Sequence, residues 1–165
     1  MDQKTDAESK QKIWDLIRKV KVAMMATHAG GDHMHARPMV ATQQEFDGVL
    51  WFFTDKRSHK VDQLEGDHRV LLTYADWDSQ TYVSVDGTAS IVVDKGTIDQ
   101  LWQESMRTWF PGGKDDPNIA LIRVQVDSAA YWDSPSSTLV HAYGYVKAAL
   151  TGERPHPGDV GKVTF

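Results

Sequence analysis

His33-Met-His-Ala-Arg-Pro-Met-Val-Ala-Thr42 is where the apolar pattern of this chain changes period from 3.6 to 2. In the strand it predicts, His33, His35, Arg37, Met39 and Ala41 share one face; Met34, Ala36, Pro38, Val40 and Thr42 share the other. Upstream, Ile13, Leu16, Ile17 and Val20 recur at i, i+3, i+4 and i+7 with Trp14 beside them, which predicts an amphipathic helix after a polar, frayed segment 1–12. Val22-Ala-Met-Met-Ala-Thr27 reads as a short buried strand, and Ala29-Gly-Gly-Asp32 as a tight turn. Downstream, Glu45-Phe-Asp-Gly48 carries the Asp-Gly hairpin signal ahead of the aromatic strand Val49-Leu-Trp-Phe-Phe-Thr54. Ser58 is placed to cap a short helix carrying Val61 and Leu64 and closed by Gly66. Two further strands, 70–75 and 81–93, flank the polar turn 76–80. Asp94 is placed to cap a longer helix with Ile98, Leu101, Trp102, Ser105, Met106 and Trp109 on one face, stopped by Pro111-Gly-Gly113. Over 119–126 the alternation returns, with Ala120, Ile122, Val124 and Val126 inward and Arg123 and Gln125 outward.

Five or six hairpin-type strands around two or three helices, without βαβα alternation, predict a mainly antiparallel sheet closed or half-closed into a barrel. The 165 residues suit one domain over 1–150, with 151–165 expected as a flexible tail because Gly152, Pro155, Pro157 and Gly158 punctuate it. No cysteine is present, which excludes disulfides, thiolate catalysis and Cys-ligated metal. A net charge of −5 argues against a nucleic-acid partner. The polar start lacks the apolar core of a signal peptide, and no apolar run approaches the roughly 20 residues of a membrane span, so a cytoplasmic domain with no membrane partner is expected.

The densest chemistry is Lys56-Arg57-Ser58-His59-Lys60, three cations and a histidine between a strand end and a helix start. Such a position suits an anion, because helix N–H groups, a hydroxyl and an ammonium converge there. For a run of this kind a solvated charged turn is the commoner explanation. Arg37 tilts the balance: a lone charge in mid-strand must be paired or face a ligand. Six Trp, five Tyr and five Phe form a heavy aromatic load; Phe52 and Trp102 suit the core, whereas Trp109 and Trp132 stand at element ends where a flat ring can stack on a flat ligand. His33 and His35 share a face but lack a third ligand, so no metal site is expected. No HExxH, G-x-S-x-G or glycine-rich phosphate loop occurs, and Ser134-Pro-Ser-Ser137 has no partnered base.

Arg37-Pro-Met39, Trp51-Phe-Phe-Thr54 and Ser58-His-Lys60 resemble the flavin-binding segments of the pyridoxamine 5′-phosphate oxidase-like split barrels. Trp109-Phe-Pro111, Asp116-Pro117, Leu121-Ile-Arg-Val124 and Tyr131-Trp-Asp133 resemble the general stress protein branch of that superfamily. The resemblance covers about residues 10–133. It implies a six-stranded antiparallel split β-barrel (mainly β with flanking helices), homodimeric, with FMN, or FAD, in clefts at the dimer interface. Arg37, Pro38 and Met39 would line the flavin and ribityl side, Trp51, Phe53 and Thr54 would lie along it, and Ser58, His59 and Lys60 would hold the phosphate. Tyr82 would make a polar flavin contact, and Trp109 and Trp132 would approach from the partner's side. Two function classes follow: a flavin-binding stress protein without turnover, or an FMN-dependent oxidoreductase. The chain after Trp132 offers His141 but no Arg-x-His arrangement, which argues against pyridoxamine phosphate oxidation. A flavin-free interaction domain and a haem-binding relative are the remaining readings.

Overall fold

In the strand Val22–His28 (β1) exposed and buried residues alternate, so one face turns inward and the other outward. The computed structural model describes residues 6–134, 138–152 and 158–165. β1 pairs antiparallel with Met34–Val40 (β2) on one side and Arg69–Asp76 (β4) on the other. Thr81–Val92 (β5) continues from β4, Ile119–Asp133 (β6) from β5, and Val49–Asp55 (β3) pairs with the first half of β6. The path is β2-β1-β4-β5-β6-β3. Among the described residues four α-helices accompany it: Asp6–Val20 (α1), His59–Gly66 (α2), Lys95–Leu101 (α3) and Thr138–Thr151 (α4). Among the described residues no helix is long and apolar enough to cross a membrane.

The sheet curls until its two ends meet. Just past β2, the Thr42 N–H donates to the Trp51 carbonyl at 3.2 Å. The Gln43 side chain then spans the seam, donating to the Val49 carbonyl at 2.5 Å and accepting from the Trp51 N–H at 3.1 Å. One backbone bond and one amide side chain thus close the barrel where a full ladder would otherwise run, and this makes it the expected split barrel. Met25, Leu50, Phe52, Leu72, Tyr74, Val85, Ile122 and Val124 fill the interior, and Ile13, Trp14, Leu16 and Ile17 of α1 pack into it. A second cluster forms outside the barrel wall, where Ile98, Phe110, Ile119 and Leu121 gather Trp51, Phe53 and Trp102. A small barrel filled by its own side chains leaves no room for a ligand inside.

Several local expectations give way to tertiary pairing. Asp47-Gly48 turns the chain, with Gly48 at φ +97, but joins no hairpin: β2 and β3 lie at opposite ends of the path. The helix begun at Asp94 is capped as expected, with the carboxylate accepting from the Thr97 N–H at 2.8 Å, yet it stops at Leu101. Trp102 turns extended there, its ring meeting Phe53 edge-on at 5.9 Å, and Gln103 donates to the Thr42 carbonyl at 2.8 Å. A separate 3₁₀ turn covers Glu104–Thr108. α1 begins at Asp6, inside the segment expected to fray.

β6 runs seven residues beyond the predicted 119–126 because a bulge absorbs the break in alternation. Its register shifts between Asp86 and Gly87, which pair with Ser128 and Val126 and leave Asp127 unpaired in the ladder. The expected mobile tail gives way over Asp159–Thr164 (β7) to a strand on the second half of β6; residues 153–157 lie outside the described ones. Beyond it, the Phe165 ring meets Phe46 at 5.4 Å, which in turn stacks on Trp14 at 5.5 Å.

Gly87 fixes that bulge by close approach. A methyl group there would sit 2.6 Å from the Gln125 carbonyl oxygen and 2.8 Å from a Val124 methyl. Gly87→Ala is therefore expected to lower unfolding stability by about 1–3 kcal/mol, read from urea denaturation midpoints. An unchanged midpoint would show that the bulge relaxes freely.

Candidate functional site

Arg37 lies opposite Met25 in the β1–β2 ladder, so its side chain leaves β2 on the inner face and turns toward α2. Among the described residues, every hydrogen-bond partner of its guanidinium is neutral. Nη1 donates to the Thr27 hydroxyl at 2.6 Å and to the Met25 carbonyl at 3.2 Å; Nη2 donates to Gln63 Oε1 at 2.8 Å. The Thr27 hydroxyl donates a hydrogen bond to the same Gln63 oxygen at 2.7 Å. Because Oε1 receives two donors, the Gln63 amide nitrogen faces His35, 3.3 Å from its Nδ1. Burial pulls the guanidinium below its usual pKa, but an arginine starts so far above neutrality that it stays charged.

Lys60, one turn earlier on α2, adds a second cation. It is half-buried, and among the described residues its ammonium has no hydrogen-bonded or ion-paired partner. Burial first, and then the Arg37 charge, push its pKa below the ordinary lysine value, while Asp55 opposes the shift. Two neighbouring cations without a carboxylate between them form a site that lacks its counter-charge. Ser58 stands at the start of α2 and forms no cap bond with its side chain, contrary to the capping role expected; its hydroxyl lies 3.3 Å from that of Thr54.

The basic run itself divides. Arg57 folds back on Asp55, with its Nε at 3.0 Å and Nη2 at 2.7 Å from the carboxylate, and the pair holds Asp55 down at a pKa of about 2. Arg57 is thus matched by its own counter-charge. His59 and Lys56 are exposed. Of the five-residue cluster, Ser58 and Lys60 remain, joined by Arg37 from β2 and Thr54 from β3.

The aromatic candidates lie elsewhere. Trp51 and Phe53 leave β3 on the face opposite Thr54 and enter the outer cluster, Trp51 also meeting the Arg123 guanidinium at 6.0 Å. Pro38 is exposed on the outer face of β2 while Met39 packs against the core. Tyr82 and Trp132 are cross-strand partners, three residues along β5 from Val85, the residue in Arg37's row of the sheet. Trp109 is 80% exposed. In one chain these rings do not converge on Arg37 and Lys60. Residues 135–137 of the hydroxyl-rich loop, and the His141 side chain, lie outside the described residues. Thr27 and Gln63, which hold Arg37, are the side chains of this candidate site that sequence reasoning missed. They stand 36 positions apart, and only the docking of α2 beside β1 joins them.

The chain matches the family described as pyridoxamine 5′-phosphate oxidase like over residues 8–156. It is 30% identical to general stress protein 26 of Bacillus subtilis over 135 residues, covering 79% of this chain and 93% of that protein. Among solved structures, it is similar to a protein described as a general stress protein 26 from Jannaschia sp. CCS1, with a TM-score of 0.77, 26% identity, and coverage of 96% and 99% of the two chains. It is also similar to the general stress FMN/FAD binding protein of Xanthomonas citri, with a TM-score of 0.69, 31% identity, and coverage of 79% and 92%.

A depressed lysine has a definite signature in stability. In the absence of a bound anion the folded chain releases the Lys60 proton at lower pH than the unfolded chain does, so the unfolded state binds more protons between the two pKa values. Stability should therefore rise with pH from the depressed Lys60 value up to about 10.4, the ordinary lysine value. Lys60→Met is expected to be more stable than the unaltered protein near neutral pH, with the gap closing as pH climbs through that window. A gap independent of pH in phosphate-free denaturation curves would show that Lys60 is not strained.

Proposed function

The chain belongs to the pyridoxamine 5′-phosphate oxidase-like family, and from that membership we propose that it is a flavin-binding stress protein that holds FMN at the interface of a homodimer. The observation that carries the reading is the pair of cations without an ion-paired partner, Arg37 and Lys60, beside the Ser58 hydroxyl, which makes no cap bond and meets that of Thr54. A terminal phosphate supplies the charge this group lacks. Resemblance to an FMN/FAD binding protein of the same fold supports a flavin as the molecule that carries the phosphate. Bound flavin would bring a centre able to accept and release two electrons. The residues of this chain bind its phosphate and shield its ring.

The dimer is supported by an unpartnered sheet face. Val22, Met24, Met34, Val40 and Leu71 are exposed, and the register joins them: Val22 opposes Val40, Met24 opposes Pro38, and Leu71 lies beside Ala26. A contiguous apolar face of this kind on β2, β1 and β4 marks a contact surface. It borders the strand that carries Arg37, so a symmetric partner seated on it would add a second wall for a flat ring. Trp109, Trp132 and Tyr82, which do not reach the anion group within one chain, become candidates for that wall.

The test is a visible absorption spectrum of the purified protein, repeated with added FMN and then with reduced nicotinamide under anaerobic conditions. Flavin bands that persist through gel filtration, without bleaching, are expected. Bleaching would assign turnover, and failure to retain flavin would remove the proposal. Lys60→Ala should weaken FMN binding by about 1.5–3 kcal/mol. Met24→Asp, which places a charge on the apolar face, should shift sedimentation from dimer to monomer and weaken FMN binding with it. A Met24→Asp dimer with unaltered affinity would relocate the interface.

A further inference from the structure

The Arg37 guanidinium has five N–H donors, and the structure accounts for three of them. The Thr27 hydroxyl and Gln63 Oε1 are hydrogen-bonded to each other, so they sit together across the Nη1–Nη2 end of the fork. The outer Nη1 hydrogen goes to the Met25 carbonyl. The Nε–H and the second Nη2–H, which lie side by side, have no partner among the described residues. That side edge is the one that grips a carboxylate or phosphate with two parallel hydrogen bonds. Thr27 is fully buried and anchored in β1, and Gln63 is held on α2 by the contact of its nitrogen with His35. The side chain that aims the arginine is therefore itself aimed.

Resting on the flavin reading above, we propose that Gln63, with Thr27, is a positioning residue that turns the free edge of Arg37 toward a terminal phosphate monoester and so sets the preference for FMN over flavins without one. Neutral oxygens suit this task. They fix the fork without cancelling its charge, whereas a carboxylate in place of the Gln63 amide would satisfy Arg37 and compete with the ligand. The target is a dianion, because Arg37 and Lys60 together offer two positive charges. Riboflavin, which has no phosphate, makes no use of the clamp, and FAD offers only singly charged diester phosphates.

The experiment measures dissociation constants of FMN, FAD and riboflavin by fluorescence quenching for the unaltered protein, Gln63→Leu and Gln63→Glu. The unaltered protein is expected to bind FMN most tightly. Gln63→Leu should weaken FMN binding about tenfold or more while riboflavin changes by less than about threefold, since the lost interaction is a hydrogen bond to a charged group. Gln63→Glu keeps a partner for Arg37 and so protects the fold; it should weaken FMN at least as much as Gln63→Leu does, again sparing riboflavin. Equal losses for FMN and riboflavin, or unchanged FMN binding, would overturn the positioning role. FAD bound as tightly as FMN would overturn the monoester preference. Inorganic phosphate titrated by 31P line broadening separates this inference from the flavin reading. If the unaltered protein binds phosphate but no flavin, and both Gln63 variants lose phosphate, the clamp stands and the flavin assignment falls.

Discussion

The candidate site depends on a guanidinium that, among the described residues, is held by uncharged oxygens alone. Arg37 is half-buried, and its partners are a hydroxyl, a carbonyl and an amide. In such surroundings the positive charge is oriented yet not neutralised, and Lys60 beside it increases the imbalance. The chain does use charge pairing elsewhere: Arg57 is matched by Asp55, and Arg69 by Asp67 at 2.6 Å. Those pairs are exposed and stabilise little. Arg37 and Lys60, which β2 and α2 bring together, have no such carboxylate pair among the described residues.

The sheet frames this arrangement in two ways. Its interior is packed with apolar side chains, and the polar group of Arg37, Thr27 and Gln63 gathers where β1, β2 and α2 meet. Its seam is closed sparingly, by Thr42 and Gln43 against β3, the strand whose Thr54 hydroxyl meets that of Ser58 at the start of α2. β6 then ties the whole together. One of its edges carries β5 throughout, and the other carries β3 and β7 end to end.

Much of this was legible in the residues. Period-2 alternation located the strands, the lack of βαβα order indicated an antiparallel barrel, and a charge in mid-strand singled out Arg37. The failures share a cause: local signals were outweighed by partners distant in sequence. Asp47-Gly48 makes a turn as its residues demand, but the strands it joins find other neighbours. A helical stripe through Trp102 and Met106 breaks because Phe53 and Thr42 claim Trp102 and Gln103. Asp127 disguises the second half of β6, since a bulge shifts the alternation by one. Arg57 reads as part of an anion site until Asp55, two residues away, is seen to hold it. Gln63 carries no signature at all; a glutamine on an exposed-looking helix acquires meaning only when α2 docks beside Thr27.

The most direct test of the central claim is a crystal structure of the protein grown with FMN, inspected at the Arg37 side edge. Phosphate oxygens within hydrogen-bond distance of Arg37 Nε and Nη2, with the Lys60 ammonium on the same group and the Gln63–Thr27 pair unmoved, are the expected result. A flavin phosphate bound elsewhere, or an Arg37 that abandons Gln63 to reach it, would contradict the account.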